Sequence, residues 1–342
     1  MGINCSGCSC ANRENELKTE LEILENQTTA TARNKSKAKS EIPPDLLLKL
    51  KKYTPRIIKI QAMWRGHQDR KLVAHLRKKQ RMNGKYFTDE ESRETLSAKQ
   101  SGIPEREDRP PYRFKSGAVY VGQWKGGFRD GYGIQTWPDG ARYEGQWKDN
   151  KAHGKGKFWH VDGDIYDGEW KDDKANGKGT YKQANGAMYE GEWKDDIQDG
   201  YGKESWIDGS KYEGYYKAGK KHGFGTYIWK EGSKYTGQWI DNKINGKGTY
   251  TWYDGRQYEG DWLNGTMHGR GVYAWKDGRK YEGEYQNDKK HGYGIYLWVD
   301  GRKYDGYWKN GKQHGEGWIM TPDGTRRKGE WKDGKRVRWI DM

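Results

Sequence analysis

Tyr143-Glu144-Gly145-Gln146-Trp147, followed by Lys148-Asp149-Asn150-Lys151, is the stretch whose reading decides the fold. Alternation with a period of two puts Tyr143, Gly145 and Trp147 on one face of an extended strand and the polar residues on the other. The four residues that follow favour a tight hairpin, as do the counterparts Asn264-Gly265 and Asn310-Gly311. A returning strand resumes the alternation, shown in a later copy by Gly246, Gly248, Tyr250 and Trp252, and Asp254-Gly255 then turns the chain onward. Each unit is thus a β-hairpin with one face of rings and glycines.

The unit recurs. Tyr120, Tyr143, Tyr166, Tyr189, Tyr212, Tyr235, Tyr258, Tyr281 and Tyr304 are spaced by 23 residues without insertion, and Arg327 takes the tenth slot. Glycine follows two residues after each, from Gly122 to Gly329, and tryptophan four after, replaced only by Tyr216 and Tyr285. Tyr112, Phe114 and Gly117 match the tail of a preceding half unit, so the array begins near residue 111. Glycine inside a strand normally weakens it. Its regular use here predicts a flanking ring lying over bare backbone. One hairpin is marginal alone, so neighbours must share the aromatic layer. Ten two-stranded units at about 4.8 Å per strand predict an extended all-β rod roughly 95 Å long. On the polar face, Glu144, Asp167, Glu190, Glu213, Glu259 and Glu282 run beside Arg142, Lys211, Lys234, Lys280 and Lys303, a pattern that suits cross-strand charge ladders.

Composition agrees. Only 32% of the 342 residues are hydrophobic, which alone would suggest disorder, but 18 Trp, 25 Tyr and 5 Phe exclude it. No apolar run approaches the roughly 20 residues of a spanning helix, and no secretory segment is present, so a cytosolic chain is expected.

The Tyr-x-Gly-x-Trp pattern with spaced glycines closely resembles the membrane occupation and recognition nexus (MORN) repeat. The resemblance implies an elongated single-layer antiparallel sheet. It also implies a scaffold at membranes, in cilia or in the cell cortex, with phosphoinositides or a second copy as partners in some members.

Several apparent chemistries dissolve in this frame. His153, His222, His268, His291 and His314 share one slot, but Asp130, Asn176, Asp199 and Asn245 fill it elsewhere. These types share tolerance of unusual backbone angles and local hydrogen bonding, which favours a structural reading over a metal ladder. Gly306-x-x-x-x-Gly311-Lys312 and Gly329-x-x-x-x-Gly334-Lys335 imitate a phosphate loop but lack the following Ser or Thr and lie in hairpins. Acids occur in every unit, with no pair singled out as acid and base. No catalytic site, metal or cofactor is expected, and no nucleic-acid partner.

The +15 formal charge is concentrated. Residues 33–85 hold 17 basic and 3 acidic residues, between two acidic flanks. Thr54 with Pro55 can start a helix there and Asn83-Gly84 can end it. Ile57, Ile60 and Trp64 form an apolar seam among Arg56, Lys59, Arg65 and Arg70. Such a basic amphipathic helix with a large anchor suits an acidic, groove-forming partner. The run Ile60-Gln61 through Arg65-Gly66 and Arg70 to Val73 matches the complete IQ motif, so the helix resembles those gripped by calmodulin or another EF-hand light chain. By that resemblance Ile60 and Gln61 seat one lobe, Arg65 and Arg70 meet its acids, Gly66 allows close approach and Val73 helps seat the other lobe. A helix packed on the rod, or lying on anionic lipid, is the competing reading.

At the N-terminus, Gly2 with Ser6 satisfies the N-myristoylation pattern. Myristate alone binds membranes marginally, and palmitate on Cys5, Cys8 or Cys10 would supply a second anchor. Zinc is the rival for these cysteines, but three thiolates lack the usual fourth ligand. Leu17, Leu21 and Leu24 are spaced for a short helix, and residues 27–42 read as linker.

The expected layout is an acylation segment at 1–10, a helical and linker region at 11–53, the IQ helix at 54–84, a linker at 85–110 and the array at 111–342. The expected function is a non-catalytic scaffold on the cytoplasmic face of a plasma or ciliary membrane that binds calmodulin or a light chain. An axonemal, ciliary or cortical structural protein of the cytoskeleton is one alternative. A regulatory partner of a phosphoinositide kinase is another. The basic block could rest on the anionic leaflet until calmodulin competes for it.

Overall fold

The computed structural model describes residues 86–96 and 105–340. A short helix, α1 (Asp89–Leu96), precedes an open antiparallel sheet of 21 strands in chain order, from β1 (Glu107–Arg113) to β21 (Lys335–Trp339). Strand β1 is the half unit. Ten hairpins follow, the first being β2 (Val119–Lys125) with β3 (Phe128–Thr136) and the second β4 (Arg142–Lys148) with β5 (Lys151–Trp159). The stretch read as linker over 85–110 contains α1 and the start of β1. Thr88 three residues before Glu91 is a recognisable helix-start signature.

The glycine pattern has the expected cause, carried further than one strand. Gly122 faces Gly133, which faces Gly145, and so on through Gly156 and Gly168 to Gly329, one unbroken row across the sheet from β2 to β20. A Cβ on Gly156 would collide with the ring and hydroxyl of Tyr143, and one on Gly145 with the backbone of Gly156. The repeat tyrosine therefore lies flat over a glycine pair. Its hydroxyl donates to the carbonyl three residues on, at 2.8 Å in Tyr143→Gln146 and 3.0 Å in Tyr235→Gln238, and in all nine units. This bond is why the slot holds tyrosine and not phenylalanine. The repeat tryptophan reaches back over the preceding hairpin, and Trp147 Nε1 donates to the Gly133 carbonyl at 3.2 Å, as Trp170 does to Gly156 at 2.9 Å. Tyr143 and Trp147 meet edge to face at 5.0 Å, the favourable geometry for such rings.

The hairpin turns lock onto their predecessors. Asp149 and Asn150 both have positive φ, 49° and 69°, the signature of a type I′ turn. The Asn150 amide donates to the Arg129 carbonyl at 3.1 Å, while the Arg129 amide donates to Asn150 Oδ1 at 2.8 Å. Asp173 repeats the exchange with Ala152, and Asn242 with Lys221. On the polar face, Lys157–Asp167 at 3.4 Å and Lys203–Glu213 at 3.1 Å form rungs of the expected charge ladder, exposed and individually weak. At the far end Trp339 lies between Arg327 and Arg336, whose guanidinium carbons stand 4.1 and 4.0 Å from its ring centroid.

Burial pushes Asp173 up to about 6, against an ordinary value of 3.8, while Arg129 and the Ala152 amide hold it down. Between about pH 4 and 6 the folded chain binds a proton that the unfolded chain has released. The penalty from this carboxylate is therefore absent below about pH 4 and grows as pH rises through 6. Asn150 and Asn242 accept the same bond without charge. Asp173→Asn should raise the midpoint of thermal unfolding by roughly 2–4 °C at pH 7.5, and the gain should vanish near pH 4. An equal gain at both values in parallel melts would rule out charge as the cause.

Candidate functional site

The residues singled out for partner binding, Ile60, Gln61, Trp64, Arg65, Gly66, Arg70 and Val73, and those for lipidation, Gly2, Cys5, Cys8 and Cys10, lie outside the described residues. What the structure describes is the aromatic face to which the end of that N-terminal region leads.

This face is a row of boxes, one per unit. Each box has four walls: the residue six before the repeat tyrosine, the tyrosine itself, the residue fifteen after it, and the tryptophan of the next unit. The residue nine after the tyrosine rises through the floor. In the eighth unit the floor is Lys290, whose Nζ stands 5.1, 4.9, 4.2 and 4.7 Å from the ring centroids of Trp275, Tyr281, Tyr296 and Trp308. Desolvation among these rings, with help from the charge of Arg279, lowers its ammonium to about 7. In the fifth unit Lys221 stands 4.9 Å from Trp206 and 5.3 Å from Tyr212. In the first, Arg129 stacks 4.5 Å from the Trp147 centroid and 5.1 Å from Phe114. These distances are those of cation–π pairs.

In the second unit the floor is Ala152, and the box is filled from outside the sheet. Phe87 lies among Trp137, Tyr143, Phe158 and Trp170, its centroid 5.4, 5.7, 5.9 and 5.8 Å from theirs. These four walls correspond, six units earlier, to those around Lys290. Tyr86 packs beside it, donating to Asp139 at 3.0 Å and accepting from Trp137 Nε1 through its carbonyl at 2.9 Å. Helix α1 then crosses the first unit. Glu91, 3% exposed, accepts from Ser116 at 2.7 Å and Gln135 at 2.6 Å, and lies 3.6 Å from the guanidinium of Arg129. Burial lowers Arg129 to about 10, and the charge of Glu91 opposes that fall. The sequence reading missed Tyr86, Phe87, Glu91 and Arg129. The two adjacent rings just after a basic run were the available signal.

The histidine slot has a structural use. His314 Nδ1 accepts from the Asp333 amide at 3.4 Å, as Asp199 does from Ala218 at 2.9 Å and Asn245 from Asn264 at 3.1 Å. In these units the slot holds the next turn. Gly306 and Gly311, read against a phosphate loop, sit on a strand and in a hairpin turn.

The fold and this face define a tandem-repeat binding scaffold, with its own N-terminal flank seated on it. Ten MORN repeats match between 120–142 and 328–337, over more than half of the sequence, and the chain belongs to the MORN-repeat family. An IQ calmodulin-binding motif matches at 54–73. Both are binding modules. No curated protein matches the chain. Among solved structures, the TCP domain of Drosophila melanogaster SAS-4, in complex with a proline-rich motif of Ana2, is 11% identical over 52% of this chain and 85% of its own, with a TM-score of 0.27. The TCP10 domain of Danio rerio CPAP is 14% identical over 61% and 99%, at 0.24. Inactive virginiamycin B lyase of Staphylococcus aureus is 13% identical over 70% and 74%, at 0.13. Similarity at this level assigns neither partner nor activity.

Removing one member of a buried ion pair leaves the other charge uncompensated, at a cost of about 3–5 kcal/mol. Glu91→Ala should show that loss in urea denaturation followed by tryptophan fluorescence. Glu91→Ala combined with Arg129→Leu should recover most of it. A single variant as stable as the parent would mean that Glu91 does not hold α1 to the sheet.

Proposed function

We propose that this chain is a non-catalytic scaffold at the cytoplasmic face of a membrane, which binds calmodulin or a related EF-hand light chain through residues 54–73. The observation that carries the reading is the complete IQ motif within the net +14 block, joined by one chain to a ten-unit binding array. Ile60, Gln61 and Val73 supply the apolar contacts, Trp64 anchors the seam, and Arg65 and Arg70 meet the acids of the partner. Gly2 carries myristate, and palmitate on Cys5, Cys8 or Cys10 makes the anchor stable, since one acyl chain alone gives only reversible binding. The basic block adds attraction to an anionic leaflet. The array is left to dock other proteins, and phosphoinositides or a second copy are further partners consistent with the family.

Replacing Ile60, Gln61, Arg65 and Arg70 together with alanine should abolish capture by immobilised calmodulin, with and without calcium. Undiminished capture would remove the IQ helix from the reading while leaving the array as it is. In cell fractionation, Gly2→Ala should move the chain from the detergent-released to the soluble fraction. Retention of the unsubstituted protein in the detergent-insoluble cytoskeleton would favour the axonemal or cortical alternative.

A further inference from the structure

The face opposite the boxes has its own recurring slot, the residue three after the repeat tyrosine. In six units this is Gln, Asp or Glu, and its oxygen accepts from the amide nine residues further on, as Gln146 does from Lys155 at 2.8 Å and Asp261 from Arg270 at 3.0 Å. The fifth and ninth units place Tyr215 and Tyr307 there instead. Only carbons of Tyr215 then lie over Gly223, the nearest at 3.4 Å, so the bond is given up. What each tyrosine gains is a ring on the neighbouring strand. Tyr215 meets Tyr201 edge to face at 5.4 Å, and Tyr307 meets Tyr293 at 5.6 Å. Tyr201 and Tyr293 each donate their hydroxyl to a carboxylate, Glu213 at 2.6 Å and Asp305. All four rings stand in solvent, 39% to 55% exposed. A ring held in water in place of a structural hydrogen bond is of no use to the fold.

Two observations identify what meets these rings. First, other exposed apolar side chains gather with them. Phe224, Ile228, Ile240, Leu263 and Leu297 share this face, whereas the same row in earlier units reads Lys155–Glu169 and Lys178–Glu192. Grouped exposed apolar surface marks a contact site. Second, the row is complementary to its own reverse. From β9 (Ile197–Ser205) to β18 (Lys303–Lys309) its registered pairs are Tyr201–Tyr215, Phe224–Gln238, Lys247–Asp261, Arg270–Glu284 and Tyr293–Tyr307. Consider a two-fold axis running along the strands, between β13 (Lys243–Thr251) and β14 (Gln257–Leu263). It reverses strand order and lays a second copy face to face. The ring pairs, eight strands or roughly 38 Å apart, lie equally far from that axis, so each falls on the other pair of the partner. Lys247 then faces the partner's Asp261, and Lys203, one row over, faces the partner's Asp305. No like charges meet along the central row.

We propose that this face, from the fourth unit to the ninth, is the surface through which two copies of the chain associate about that axis. The tyrosine pairs anchor both ends, and Lys247 and Asp261 meet at the centre. An isologous contact uses one patch twice, so the patch must match its own reverse. Tyr201 and Tyr293 are already tied to Glu213 and Asp305, which leaves them little side-chain freedom to lose on contact. The face with the boxes, where Phe87 and α1 sit, is untouched. This association rests on the proposed function only in taking a second copy as a partner; calmodulin and the acyl anchor play no part in it.

Sedimentation of the full chain, prepared without acyl groups, should show the mass rising with concentration from 39.8 kDa to twice that value. Tyr215→Gln with Tyr307→Gln installs the acceptor used in the first, second and sixth units, so the melting midpoint should not fall. The same variant should weaken association by about thirty-fold or more, the scale of lost aromatic anchors. Lys247→Glu and Asp261→Lys should each weaken association when alone, because like charges then face each other across the axis. Mixed in equal amounts, those two variants should recover it, since every facing pair is again opposite in sign. The bridge between 247 and 261 within each chain, 3.2 Å long in the parent, stays broken in that mixture, so recovery reports the contact between copies. A mass of one chain at every soluble concentration overturns the association. So does association that survives the tyrosine variant, which puts the contact on another surface, and so does a mixture that fails to recover. Calmodulin binding per chain should be equal in the parent and all variants. Its absence would remove the IQ reading and leave the sedimentation result as it stands.

Discussion

A phenol laid across two facing glycines, with its hydroxyl tied to the carbonyl three residues on, is the contact on which the rest of this structure depends. It fixes the side of each strand that faces the rings, because only there is the backbone bare. It fixes register too, since a slip by one residue would set a Cβ under the ring. The hydroxyl bond contributes only about 1 kcal/mol on its own. Its weight comes from recurring in nine units along one continuous glycine row, where each ring rests on the hairpin its neighbour also uses.

That constraint leaves one position per unit free to vary, the floor of each box. Arginine, alanine, glutamine, lysine, isoleucine and methionine all occur there. The walls stay nearly constant and the filling differs, so a single architecture offers one box closed by a buried ion pair, one closed by Phe87, and others closed by their own lysine. The diversity of the face comes from this row.

The fold was legible because its determinants repeat. The slots of Tyr143, Gly145 and Trp147 return at 23-residue intervals, holding tyrosine in nine units, glycine in ten and tryptophan in eight, and leave no rival register. The tight turns were legible because Asn and Asp tolerate the positive φ found at Asp149 and Asn150. The site was less so. Phe87 and Glu91 occur once, in a stretch whose charge resembles that of a linker, and their roles depend on where the chain folds back. The floor residues hid for the opposite reason. They recur in position but not in kind, and a search for conserved letters passes over a slot whose letter changes. Arg129 looks like one more surface cation until Glu91 and Gln135 are seen around it.

From the second hairpin on, each turn donates an amide to the unit before it, and turns with Asp or Asn in the slot, such as Asn150, Asp173 and Asn242, accept one in return. The array therefore has a direction. A newly made hairpin leaving the ribosome finds its docking partner already formed, so the sheet can be laid down unit by unit as the chain lengthens, with no need to wait for its far end. A chain cut short would keep every unit completed before the cut. Loss from the front would instead deprive the next turn of its support.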